Sequence, residues 1–433
     1  MTQNELWDFI EENSARGSVY GLDSMRRLLE KTGHPERKLK IIHIAGTNGK
    51  GSTLCYIASI LKACGYKTGT YSSPAVFDYR EKIGLNGHMI SVKDLCTYMQ
   101  EIKDICDEIV SEGNPMPTLF EMETALSFKY FADKGCDFAV IECGCGGRDD
   151  ATNIIDNKEL AVFAKISMDH MKLLGDTLEK IADAKSGIIK KGCSVVTSVQ
   201  ESAAYKILEN AAKENGCEIY VADEPLKVKT AFTKTVFDLP GFEKLETSML
   251  GSYQPGNAGT AVKAALALRD RGFKISDNAI RKGIAGAVNP GRFEVIGNKP
   301  LFIIDGAHNE DAAKRLAESM EIYLKGKPLI FICGVLADKE YDKVMALTVD
   351  KAAFIITVTP PGNKRALDKQ ALSDTVMKYN KNVTTADSVE EAAEMAVLLA
   401  GQKNNKCAVV AFGSLSYLGR LKKYVTGKIC MKI

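Results

Sequence analysis

At 433 residues, 45% hydrophobic and 26% charged, the chain has an ordinary globular composition, long enough for two to three domains at about 100–200 residues each. Its formal net charge of +2 lacks the basic excess of a nucleic-acid binder, so small molecules are the expected partners. Residues 1–16 are polar and acidic, no apolar run reaches membrane-spanning length, and the twelve cysteines form no CxxC pair, which point to a cytoplasmic protein with free thiols and no membrane contact. Residues 41–45 (IIHIA) read as a buried strand that ends in a Gly-rich loop. After the loop Leu54, Ile57, Ala58 and Leu61 fall at i, i+3, i+4 and i+7, one face of a helix. Further strands are expected at 138–142, 161–166, 194–198 and 218–221. Near-continuous apolar strands separated by helices predict a parallel α/β sheet covered on both faces. The turn-forming Asn289-Pro290-Gly291 breaks the rhythm. It restarts with a strand at 301–304, a helix at 309–324 carrying Ala313, Leu316, Met320 and Tyr323 on one face, and strands at 329–333, 353–358 and 408–411. The expected division is therefore residues 1–293 and a smaller α/β unit, 294–433.

The loop after the first strand reads Gly46-Thr47-Asn48-Gly49-Lys50-Gly51-Ser52 and opens a helix, the context a phosphate loop needs. Small residues let backbone N–H groups close around phosphate oxygens, and the helix N-terminus adds partial positive charge. Lys50 can neutralise the outer phosphates, and a hydroxyl at Ser52 or Thr53 can face a phosphate or its magnesium. The spacing departs from GxxxxGK[ST], because Gly51 follows the lysine and Ile44 takes the first glycine position. At the end of the next apolar run, Glu142 opens a second Gly-rich turn. A carboxylate there lies in the crevice where α/β folds bind ligands and suits magnesium.

The GTNGKGS loop resembles the folate branch of the Mur ligase superfamily, the folylpolyglutamate synthase/dihydrofolate synthase family. Similar motifs run through nearly the whole chain. Ser72-Ser73-Pro74 with Glu81-Lys82-Ile83 resembles "SPH…ERI", and residues 120–125 (FEMETA) resemble "FExxTA". Residues 137–153 (DFAVIECGCGGRDDATN) carry the GGRxDATN pattern, and Ser167-Met168-Asp169-His170 matches a further loop. AKSGIIK at 184–190 resembles "EKAGIIK", LGSYQPGNA at 250–258 resembles "LxGxHQxxNA" with Tyr253 for His, and PGRFE at 290–294 and DGAHN at 305–309 also match.

The resemblance implies an ATP-binding parallel-sheet domain followed by a smaller Rossmann-like ligase domain. It implies ATP and two magnesium ions, held by Ser73, Glu142 and His170. Lys185 is then either carbamylated or an unmodified lysine in an ion pair. Asn257 would meet the adenine edge, with a helix cap as the alternative. Arg292 would contact phosphate, Asp305 the ribose or the interdomain hinge, and His308 the transferring phosphoryl group; Asn309 doubles as a helix N-cap. The reaction implied is glutamate addition to a folate through an acyl phosphate, by a monomer, with tetrahydrofolate and dihydropteroate both open as acceptors. A cell-wall ligase fits GKGS and GGRxDATN less well. A GTPase switch lacks its Asn-Lys-x-Asp element, and a dead nucleotide-binding module would not keep Lys50, Glu142, His170 and Arg292 together.

Overall fold

The computed structural model describes residues 1–14, 17, 21–402 and 406–429. Its first eight strands are β1 (Lys40–Ala45), β2 (Thr68–Tyr71), β3 (Ile83–Leu85), β4 (His88–Met89), β5 (Phe138–Glu142), β6 (Leu160–Phe163), β7 (Ser194–Thr197) and β8 (Ile219–Val221). They form one sheet in the order β4-β3-β2-β5-β1-β6-β7-β8. From β2 to β8 all pairings are parallel, while the short β3 and β4 close the edge antiparallel.

Alternation along β1 shows why the sheet is apolar on both faces. Ile41 packs with Leu6, Met25, Leu28 and Met122 of helices on one side, whereas Ile42 and Ile44 pack with Leu54, Ile57 and Leu61 on the other. The helix Lys50–Ala63 thus lies directly on the sheet that launches it, and Gln254–Asp270 and Asp277–Gly286 flank it.

The sequence rhythm did not anticipate the next unit. Strands β9 (Leu226–Thr230), β10 (Thr235–Leu239) and β11 (Phe242–Thr247) form a three-stranded antiparallel sheet in which β9 is exposed along its length. Its buried apolar side chains, Phe237, Leu239, Phe242 and Leu245, join the core around Ile57.

The last sheet contains β12 (Glu294–Asn298), β13 (Leu301–Ile304), β14 (Leu329–Cys333), β15 (Ala352–Thr357), β16 (Val383–Thr385) and β17 (Ala408–Phe412), in the order β12-β13-β17-β14-β15-β16. Only β12–β13 is antiparallel. The expected helix at 309–324 is Glu310–Tyr323, with Asn309 as N-cap accepting from Ala312 N at 2.9 Å.

Candidate active site between two strand-end edges

The C-terminal ends of β1, β5, β6 and β7 release the loops at 46–52, 142–146, 165–170 and 198–199, and β13 releases 305–308; all line one cavity of about 550 Å³. Parallel strands of two sheets thus point their carboxyl ends, where α/β folds bind ligands, into the same cleft.

In the phosphate loop, Gly49 adopts φ 89°, and a Cβ there would sit 2.4 Å from Asn257 Oδ1. The helix Lys50–Ala63 starts at Gly49 with no side-chain cap, which leaves its first N–H groups available to an anion. The loop is fastened to the end of β6, where Thr47 N and Asn48 N donate to Lys165 O at 2.8 and 3.1 Å. Lys50 Nζ lies 3.3 Å from Thr47 O and 3.7 Å from Glu142 Oε1. Of the two candidate hydroxyls, Ser52 lines the cavity, and its Oγ accepts from Asn289 Nδ2 at 3.1 Å and Gln254 Nε2 at 3.3 Å. Thr53 does not line it; its hydroxyl is buried without a hydrogen-bond partner among the described residues.

Ser73, Glu142 and His170 all line the cavity. Burial pushes the Glu142 carboxyl up by more than Lys50 and Arg292 pull it down, so this carboxylate has room for further positive charge. Among the described residues no three His, Cys, Asp or Glu gather as a metal cluster. Magnesium commonly takes only one or two protein carboxylates and completes its shell with water and substrate phosphates. The donor set fits that habit.

Lys185 is 4% exposed, and its Nζ donates to Gly46 O at 2.9 Å. Burial first, then the charge of Lys50, holds its pKa down to about 8 from 10.5. Asn257 is not a cap: Tyr253 is the N-cap of Gln254–Asp270, and the Asn257 amide lies one turn inside, donating to Gln254 Oε1 at 3.2 Å.

Asp305 is buried, and both its oxygens are engaged. Oδ2 accepts from Tyr253 Oη at 2.9 Å and Phe293 N at 2.8 Å, and Oδ1 accepts from Ala307 N at 2.8 Å. Phe293 carries a positive φ of 42°, so the carboxylate clamps a strained link between the sheets. The hinge alternative is the one this geometry favours over the ribose. Arg292 lies against Gly306, where a Cβ would meet its Nη1 at 2.0 Å.

His308 lines the cavity with its Nδ1 2.8 Å from Gly306 O. A carbonyl only accepts, so Nδ1 carries the proton and Nε2 the lone pair. Burial, then Lys339, lowers its pKa to about 4.

Sequence reasoning gave no role to Asp169. Its Oδ1 accepts from Lys339 Nζ at 2.7 Å and its Oδ2 from Asn309 Nδ2 at 3.1 Å. Burial raises its carboxyl, but Lys339, His170 and His308 together hold it well below the usual range. Asn48 of the phosphate loop donates to Asp311 Oδ2 at 2.7 Å and Asn309 Oδ1 at 3.1 Å. These bonds latch the phosphate loop to the start of helix Glu310–Tyr323. Asp169 stood beside His170 in a noted motif, but nothing local signals a partner 170 residues away.

Residues 44–265 match the Mur ligase middle domain, and residues 291–415 match the Mur ligase glutamate ligase domain. The chain is 33% identical over 415 residues to the dihydrofolate synthase/folylpolyglutamate synthase of Bacillus subtilis, covering 93% of this chain and 94% of that one. It belongs to the folylpolyglutamate synthase/dihydrofolate synthase family of Mur ligases. This is a family of ATP-dependent, amide-forming ligases. The fold agrees with the Mycobacterium tuberculosis folylpolyglutamate synthase complexed with ADP and AMPPCP, at a TM-score of 0.92, 28% identity and 99% coverage of both chains. An FPGS–AMPPCP–folate complex matches at a TM-score of 0.84 and 28% identity, over 98% of this chain and 99% of that one.

Proposed function

We propose that this protein is an ATP-dependent ligase that adds L-glutamate to a folate through an acyl phosphate. The carrying observation is the facing of two strand-end edges across one cavity, phosphate loop on one side and Asp305–His308 on the other. On this reading residues 1–293 hold ATP and residues 294–433 receive glutamate.

A free carboxylate acylates poorly, because its leaving group would be oxide. Its oxygen attacks the γ-phosphorus of ATP, ADP departs, and the acyl phosphate has phosphate as its leaving group. The glutamate amine then attacks the acyl carbon, and phosphate is expelled. The protein's work is to position anions and stabilise developing charge. The loop from Gly46 to Ser52 and the N-terminus of helix Lys50–Ala63 cradle the phosphates. Lys50 and Arg292 offset their charge, and Asn257 reads the adenine edge. His308, neutral and lining the cavity, is available to accept a hydrogen bond from the glutamate amine at Nε2. Ser73, Glu142 and His170 would hold magnesium, with Lys185 orienting it if carbamylated, and the ion would supply Lewis acidity. The Asn48–Asp311 and Asp169–Lys339 contacts hold the cleft closed and exclude the water that would hydrolyse the acyl phosphate.

The test is phosphate release from ATP with magnesium and glutamate, run with dihydropteroate, tetrahydrofolate or a UDP-muramoyl peptide, with products identified by mass spectrometry. Turnover of tetrahydrofolate alone marks a polyglutamylating enzyme, and turnover of dihydropteroate as well marks a bifunctional one. Silence with both folates, or turnover of the muramoyl peptide, overturns the reading. A monomer in the cytoplasm is the state proposed for it.

A further inference from the structure

Three residues after Ser73, the chain leaves the first sheet and seats itself on the last one. The segment from Ser72 to Lys82 is a closed loop: Ser72 N donates to Lys82 O at 2.9 Å. Inside it, one carboxylate organises the turn. Glu81 Oε2 accepts from Val76 N at 3.0 Å and Phe77 N at 3.3 Å, and Oε1 accepts from Asp78 N at 3.2 Å. The far end is tied to the first sheet's helices, where Lys82 Nζ donates to buried Glu123 at 2.6 Å and Tyr79 stacks edge-on against Trp7.

The tip points the other way. Val76 and Phe77 pack against the apolar cluster under β13 and β17. Helix Leu415–Tyr424 comes so close that a Cβ on Gly419 would sit 2.4 Å from Val76 O. Lys422 Nζ lies 4.2 Å from the Phe77 ring centroid and donates to Glu294 Oε1 at 2.5 Å. Glu294 in turn accepts from Gly291 N at 2.8 Å, at the link between the sheets.

We propose that Phe77 and Gly419 are positioning residues: docking of the loop tip on helix Leu415–Tyr424 sets the place of Ser73, so metal binding is coupled to the seating of the C-terminal unit. The inference rests on the reading of Ser73 as a metal ligand. Glu81 makes the coupling stiff, because its carboxylate fixes the backbone from Val76 to Asp78 as one piece. Gly419 sits within helix Leu415–Tyr424, where alanine would ordinarily be the more stabilising residue. Here the added carbon meets a backbone oxygen, so the tip must move.

The test measures Mn²⁺, an oxygen-preferring substitute for magnesium, bound by the full chain with AMPPCP, by loss of the free-ion EPR signal. Phe77→Ala and Gly419→Ala are each expected to weaken Mn²⁺ binding by at least about fivefold, the lower end of site-to-site coupling. Phe77→Leu should restore it. Adding Gly419→Ala to Ser73→Ala should cost nothing further, since both act through one group. Emission of Trp7, the single tryptophan, checks that the far end of the loop stays in place. If Ser73→Ala leaves Mn²⁺ binding unchanged, the ligand reading itself fails. If Ser73→Ala weakens it while the folded Phe77 and Gly419 variants bind normally, the coupling is overturned. Should Gly419→Ala not fold, Phe77→Ala decides.

Discussion

Lys185 is a buried lysine whose Nζ donates to the Gly46 carbonyl, with no carboxylate in hydrogen-bond contact among the described residues. With its pKa held at about 8 instead of 10.5, the free-amine fraction at pH 7.5 rises from about one in a thousand to about a quarter. The free amine is the form that adds CO₂, and the resulting carbamate keeps an N–H for Gly46 O. The expected result is a carbamate resonance in protein labelled with ¹³C-bicarbonate, absent from Lys185→Met. Ligase activity should fall in CO₂-free buffer near neutral pH and return with bicarbonate. Stability gives a second readout on unmodified protein. The folded value lies below the unfolded one, so the unfolded chain binds more protons between them, and stability rises with pH from about 8 to about 10.5. The full shift corresponds to about 3 kcal/mol. Lys185→Met should lack that rise in urea melts across the same window and should be inactive. A wild-type pH dependence identical to that of Lys185→Met, together with no carbamate signal, would refute the argument.

Lys50→Ala should lower ligation by at least about a hundredfold, as expected for loss of a principal phosphate contact; near-normal product formation would sink the phosphate-loop assignment. Gly49→Ala places a Cβ 2.4 Å from Asn257 Oδ1 at a φ of 89°. It should abolish ATP binding by calorimetry, and unaltered binding would show that the loop is free to move. His308, with a pKa of about 4, should contribute no inflection to kcat/KM between pH 6 and 7, and His308→Gln should slow turnover without moving the ATP dissociation constant. A limb near pH 6.5 that vanishes in His308→Gln would contradict the neutral hydrogen-bond-acceptor role.

The parallel sheets were legible because they are buried on both faces. Runs such as 41–45, 138–142 and 329–333 are apolar at nearly every position, as strands covered on both faces must be. The sheet of β9, β10 and β11 was not. Its outer strand, Leu226–Thr230, is exposed throughout and alternates apolar and polar residues over only 5 positions, so no buried run marks it. Its strands are held by pairing with one another, which composition does not reveal. The β3–β4 hairpin is too short to carry a period.

For the site, local motifs marked where single residues fall but not what they face. The loop from Gly46 to Ser52 and Glu142 stand at strand ends, where the local pattern points at a ligand, and the family resemblance marks Arg292 and Asp305. Their partners are distant in sequence and depend on the meeting of two sheets. Asp305 illustrates the difference. As a carboxylate after a strand it could serve a ribose or a hinge, and only the approach of Tyr253 and Phe293 leaves both its oxygens occupied. Tyr253 stands where a histidine is usual. Its phenolic O–H reaches the carboxylate from the N-cap of helix Gln254–Asp270, the helix that also carries Asn257 against Gly49. One helix thus touches both the hinge and the phosphate loop. A change in how the two sheets meet therefore reaches the nucleotide site through packed side chains, with no need for a mobile segment between them.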